Sequence, residues 1–274
     1  MGPAVTARAT PRERGVHTGD VAVEVLANHV AVIEIRRPPN NFFDAPLIEE
    51  ITEVLDELQV KDAARAVVLA AQGKHFCAGA DFAGTSGAAE VSPDEGARAL
   101  YAAAARIFRA ELPVVAALQG AAIGGGLGLA LAADFRVASP ESRFSANFSR
   151  LGFHHGFGLT VTLPRAVGAQ HAADLLLTGR RIGGEEAYRL GLVDRLVETS
   201  EIRSAAVEFA RELATAAPLA VRSIRKTLRA GLADEVAKAT EHERSEQAWL
   251  RTTEDFAEGV QASAERRDPL FTGR

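Results

Sequence analysis

The chain reads as an α/β protein closed by a helical C-terminal section, and three observations carry that reading. Over the first 200 residues, short β-branched apolar runs alternate with segments whose apolar residues recur at helical spacing. Two runs lead into glycine-punctuated turns, one over Gln72–Phe82 (QGKHFCAGADF) and one at Gly124–Gly126. Beyond Ser200 the strand pattern stops and only helical spacing remains.

Taken in order, residues 1–20 lack the apolar core of a signal peptide and are expected to be a flexible N-terminus. Val21–Ile35 reads as two short strands turning at Ala27–His29, and RRPPNN then breaks regular structure. Pro46–Leu58 sets Leu47, Ile51, Val54, Leu55 and Leu58 on one helical stripe, and Ala66–Ala70 is a buried-type strand. Thr85–Asp94 is small and polar, expected as a surface loop walling a cleft before a helix over Glu95–Glu111. Val114–Leu118 predicts a strand and Leu127–Ala133 a helix, with a second strand ending at Ser139. Arg143–Arg165 predicts a loop entering a helix that ends near Gly168, followed by helices over Ala172–Gly179 and from Gly184, then a strand near Val193–Val197.

In the last section Ile202, Ala206, Phe209 and Leu213 share a helical stripe, Pro218 opens a helix carrying Val221, Ile224 and Leu228, and another helix is expected over Leu250–Val260. These stripes need a partner, either the core or a second subunit. The expected organisation is a flexible 1–20, a core over 21–200 and a helical oligomerisation region over 201–274.

A chain of 274 residues that is 47% apolar and 24% charged can bury a large core. Its net charge of -5 lacks the basic footprint of a nucleic-acid or anionic-membrane partner, and no apolar run is long enough to span a bilayer. A single cysteine excludes an internal disulfide and fits a reducing, cytoplasmic setting. The adjacent pair His154–His155 has no third ligand at recognisable spacing, and with no paired cysteines this argues against a metal site.

The triple glycine carries the chemistry. The first amides of a helix have no intrahelical acceptor and lie at its positive end, and glycines let a ligand oxygen approach them. Such a turn suits an oxygen that gains negative charge in a reaction. Neither glycine cluster fits the dinucleotide fingerprint, since Leu129 follows Gly128. Cys77 reads as a small buried hydrophobe because nothing supplies it with a base, and Asp81 as a residue that hydrogen-bonds its own loop.

Five segments in order, RAVVLAAQGKHFCAGADF, PVVAALQGAAIGGGLGLALAADFRVAS, RFSANFSRLGF with LPRAVG, LLLTGRRIGGEEAYRLGLVDRLV and TEDFAEGVQASAERRDPLFTGR, resemble the crotonase, or enoyl-CoA hydratase/isomerase, superfamily. The resemblance implies a spiral of ββα turns with a C-terminal helical trimerisation region, assembled as a homotrimer or a dimer of trimers. It implies an acyl-CoA substrate, coenzyme A entering as part of the thioester and not as a separate cofactor. The enolate oxygen would accept from the amides of Ala80 and Gly125, with Ala78, Asp81, Phe82 and Gly124 at the coenzyme A portion.

The resemblance also exposes a gap, because the two positions where hydratases of the family place glutamates hold Gly128 and Phe148, and a carboxylate position of related isomerases falls near Gly156. His154 and His155 stand in the same loop, and histidine exchanges protons near neutrality. The preferred proton-transfer group is His155, at about the place where a naphthoate-forming branch carries an aspartate, with His154 and Tyr101 as alternatives. Asn147 and Ser149 are candidates for orienting substrate, and Phe82, Phe148, Phe153 and Phe157 suggest an apolar or aromatic acyl group. Isomerase or lyase chemistry is expected, the alternatives being a silent acyl-CoA binder or a hydratase with relocated acid and base.

Overall fold

A computed structural model describes residues 19–80 and 93–274 of the chain. The expected hairpin is present as β1 (Val21–Leu26) and β2 (Val30–Ile35), turning through Asn28 and His29 at positive φ. The Asp44 carboxylate accepts from the Leu47 amide at 3.0 Å and caps α1 (Ala45–Val60), whose Leu47, Ile51, Leu55 and Leu58 are buried. Then follow β3 (Ala66–Ala71), α2 (Pro93–Ile107), β4 (Val114–Leu118), β5 (Ala121–Ile123), α3 (Gly125–Ala132), β6 (Phe135–Ala138) and β7 (Arg143–Ser145). A 3-10 turn at Ser149–Leu151 precedes α4 (Leu159–Val167), α5 (Ala169–Thr178), β8 (Ile182–Gly183), α6 (Gly184–Arg189) and β9 (Arg195–Leu196).

The strands form two sheets. The larger runs β1-β2-β3-β4-β6-β9, parallel from β2 onward, and the smaller runs β5-β7-β8. Single parallel bridges, Phe43 with Ala80 and Cys77 with Ala122, carry the smaller sheet's pairing across the loops that leave β2 and β3. Successive turns of chain therefore place one strand in the larger sheet, a short extended piece beside the smaller one, and a helix outside. This is the expected spiral.

Two boundaries differ from expectation. α2 stops at Ile107, before Glu111, because the Arg109 and Ala110 amides turn back to Arg106 and Ile107 and the chain must enter β4. β7, three residues long within the expected 143–165 loop, is too short to show an alternating pattern. The polar stretch Thr85–Asp94 falls outside the described residues except for its last two, which open α2.

Four helices complete the chain: α7 (Ile202–Thr215), α8 (Pro218–Leu228), α9 (Leu232–Leu250) and α10 (Glu254–Glu265). The helix expected over Leu250–Val260 is interrupted, since Thr253 accepts from the Phe256 amide at 3.1 Å and starts α10 afresh. α7 lays Ile202, Ala206, Ala210 and Ala214 against Val32, Val68, Val115 and Val137, so it forms the second layer of the larger sheet. α8 is fastened by Arg225 and Arg229, which both reach the Asp134 carboxylate at 2.9 Å. Its Leu219, Ile224 and Leu228 are 79%, 59% and 77% exposed, an apolar surface that none of the described residues covers.

Candidate active site

The glycine turn is built by close approach. A Cβ on Gly126 would lie 2.2 Å from the Cys77 carbonyl oxygen, and one on Gly125 would lie 2.5 Å from Phe43 Cζ. Phe43 is itself paired with Ala80, and the Ile123 amide bonds the Cys77 carbonyl at 3.0 Å. The two glycine loops found in the sequence are thus packed into one structure, held from behind by β5. Gly124 has a φ of 57°, a conformation glycine adopts without strain, and heads the fully buried α3. Among the described residues the amides of Ala80, Gly125 and Gly126 have no acceptor, while those of Leu127 and Gly128 bond the Gly124 carbonyl. Unpaired donors at the positive end of a buried helix form an anion-accepting rim.

The Ala78 amide bonds the Asn40 carbonyl at 2.9 Å, and buried Asn41 holds the same loop by donating to the Gln72 and His75 carbonyls at 2.8 and 2.6 Å. Sequence reasoning missed Asn41 and Phe43, whose segment reads only as a break in regular structure. Asp81 and Phe82 lie outside the described residues. Burial pushes the Cys77 thiol up to about 12, so it stays protonated and inert near neutrality.

Aromatic rings enclose the turn. Phe148 and Phe153 pack at 5.3 Å between centroids, Phe43 and Phe157 at 5.2 Å, and all four are buried. The position two residues past the triple glycine is filled as well as empty of charge: a Cβ on Gly128 would lie 2.6 Å from Phe157 Cβ. Of the polar side chains proposed to orient substrate, Asn147 sits beside the turn, its Oδ1 3.2 Å from where a Gly124 Cβ would be. Ser149 instead lies against Gly179.

The remaining candidates gather on the other side of the 152–158 loop, against α9 and α2. The Tyr101 hydroxyl donates to Gln247 Oε1 at 2.9 Å and would lie 2.1 Å from a Gly156 Cβ, so glycine at 156 makes room for the phenol. Burial raises the Tyr101 pKa further above its ordinary range. Gln247 also donates to the His154 carbonyl at 2.9 Å. The rings of His154 and His155 stack at 4.1 Å, and His242 approaches His154 edge-on at 5.9 Å. His155 Nε2 lies 2.9 Å from Thr160 Oγ1. Burial, with smaller contributions from His154 and His242, lowers the His155 pKa to about 4, so its ring is neutral at pH 7.

Glu243, fully buried on α9, accepts from the Gly158 amide at 2.9 Å, the Thr160 amide at 3.0 Å and the Thr160 hydroxyl at 2.6 Å. Burial raises its pKa. Sequence reasoning missed this residue, although Val236, Thr240, Glu243 and Gln247 form one buried stripe at helical spacing in which a carboxylate is out of place. The structure therefore joins Ala80, Gly124 and Gly125 at the turn, and gathers Tyr101, His154 and His155 around Gln247 and His242 of α9. No group of three or more His, Cys, Asp or Glu is arranged to hold a metal ion among the described residues.

The two-sheet spiral, with paired glycine loops meeting at a buried helix N-terminus, defines an α/β class that the comparisons with known proteins identify. The enoyl-CoA hydratase/isomerase family model matches residues 26–274, and the chain belongs to that family. It is 34% identical over 259 residues to (E)-benzylidenesuccinyl-CoA hydratase of Thauera aromatica, covering 92% of this chain and 99% of that protein. Carnitinyl-CoA dehydratase of Escherichia coli K12 is 33% identical, with 91% and 98% covered. A crystal structure of an enoyl-CoA hydratase/isomerase from Pseudoalteromonas atlantica superposes with a TM-score of 0.81 at 31% identity, covering 92% of this chain and all of that one.

Proposed function

We propose that this family member binds an acyl-CoA thioester and forms its enolate, the oxygen accepting from the amides of Ala80 and Gly125. The observation that carries this reading is the packing of Gly125 and Gly126 onto the Phe43–Ala80 bridge and the Cys77 carbonyl, which brings to one rim two loops whose amides have no acceptor among the described residues. A preorganised donor of this kind contributes about 3 kcal/mol to lowering a barrier. Gly128 and Phe148 cannot transfer a proton, so the paired-glutamate addition of water is not the route. Isomerase or lyase chemistry follows, with His155 as the proton-transfer group and His154 and Tyr101 as alternates. Gly124, Ala78, Asp81 and Phe82 are assigned to the coenzyme A portion, and the phenylalanine enclosure selects an apolar or aromatic acyl group. The exposed α8 stripe supports assembly as a homotrimer or a dimer of trimers. Nothing in this reading calls for a further cofactor, a metal, nucleic acid or membrane, and the cytoplasm is the proposed setting.

A second reading, hydration by relocated groups, is favoured by the names of the relatives, which include a hydratase and a dehydratase. One experiment separates these from a silent binder. The protein is incubated with a panel of saturated and unsaturated acyl-CoA thioesters in deuterated water, and products are followed by mass spectrometry. Deuterium at the α carbon, or a shifted double bond, is expected; addition of water would support the second reading. Calorimetric binding with neither exchange nor turnover for any thioester would overturn both.

A further inference from the structure

Resting on the reading of His155 as the proton-transfer group, we infer that Thr160 and Glu243 are positioning residues which hold the His155 imidazole as its Nε2–H tautomer and leave Nδ1 as the base. Hydrogen-bond directions decide this. Glu243 Oε1 accepts the Thr160 amide and Oε2 the Gly158 amide, donors that favour the ionised carboxylate, which has no proton of its own to give. The 2.6 Å contact between Thr160 Oγ1 and Glu243 Oε1 is therefore made by the hydroxyl proton. A threonine has one such proton. With it committed to Glu243, Oγ1 can only accept from His155 Nε2 at 2.9 Å. The proton on this neutral ring thus sits on Nε2, and Nδ1 carries the lone pair. Nδ1 has no partner among the described residues.

The arrangement has the logic of a serine-hydrolase triad, in which a buried carboxylate fixes the tautomer and stabilises the imidazolium that forms; here a hydroxyl stands between carboxylate and ring. In the step it serves, the thioester α C–H bond breaks and an Nδ1–H bond forms, while the C–H electron pair passes to the enolate oxygen. The imidazolium then returns its proton to the conjugated carbon, which completes an isomerisation. Its charge is offset through Thr160 by Glu243, 4.0 Å from Nε2. The other titratable groups acting on the ring are His154 of the same loop and His242 of α9.

The test is Thr160→Val, which removes the hydroxyl but leaves the backbone amides of residues 158 and 160 on Glu243, so α4 keeps its N-terminal carboxylate. Nitrogen NMR of histidine-labelled protein reads the tautomer directly. The wild type is expected to show the Nε2–H form of His155 and T160V a mixture with Nδ1–H. With a substrate found in the deuterium screen, kcat is expected to fall at least about 10-fold while KM changes little, and Thr160→Ser is expected to restore both. An unchanged tautomer in T160V overturns the inference, as does His155-dependent turnover that T160V leaves unaffected. His155→Ala with undiminished turnover instead overturns the underlying reading of His155, and the NMR result still judges the tautomer assignment on its own.

Discussion

At the scale of single residues, His155 shows how a buried polar group ties folding to pH. Its folded pKa of about 4 lies below the 6.5 of an ordinary imidazole, so the unfolded chain takes up a proton before the folded one does. The stability this group contributes is therefore complete above about pH 6.5 and is lost as pH falls through the window toward about 4. Lowering the pH from 7.5 to 5 is expected to remove about 2 kcal/mol through this residue. His155→Gln, whose amide can still donate to Thr160, is expected to flatten that limb, as measured by urea denaturation at both pH values. An equal loss in the two proteins would show that the imidazole is not the titrating group.

At the scale of elements, the same logic explains what was legible in the sequence. The glycine turns could be read from the chain because their cause is local: three glycines at a strand-to-helix junction leave amides without acceptors wherever the helix points. Phe43 and Glu243 could not, because each acts on a loop far along the chain, Glu243 on Gly158 at a separation of 85 residues. The helical tail was likewise readable as helices, while α7's place as a layer of the sheet depended on packing. Asp134 makes a comparable long-range joint. Its carboxylate accepts from the Val114 amide at 2.8 Å and from Arg225 and Arg229, tying α8 to the start of β4 and the end of α3. Removing it leaves two largely buried guanidinium groups uncompensated. Asp134→Ala is expected to cost about 3 kcal/mol or more, read as a lowered urea midpoint; a change below about 0.5 kcal/mol would mean that water replaces the carboxylate there.

At the scale of the whole molecule, the described residues leave one apolar face uncovered. Leu219, Ile224 and Leu228 project from one helix whose Arg225 is buried against the core, so the helix cannot roll to hide them. A second copy is the proposed cover. Replacing Ile224 and Leu228 by Asp is expected to convert the assembly to a smaller species in sedimentation velocity, with the fold retained by circular dichroism. An unchanged sedimentation coefficient would assign the contact to another face.

The pairing of Gly128 with Phe157 has a consequence for how this branch of the family could change its chemistry. A Cβ at position 128 meets the Phe157 side chain at 2.6 Å, and Phe157 itself holds a φ of 60°. The two sites are therefore epistatic: a glutamate cannot enter at 128 until the ring at 157 has gone, whereas glycine at 157 would relieve the backbone and open the space at once. The order of substitution is fixed by packing, and placing carboxylates at both 128 and 148 is a path of at least three steps whose first, at 157, brings in no carboxylate.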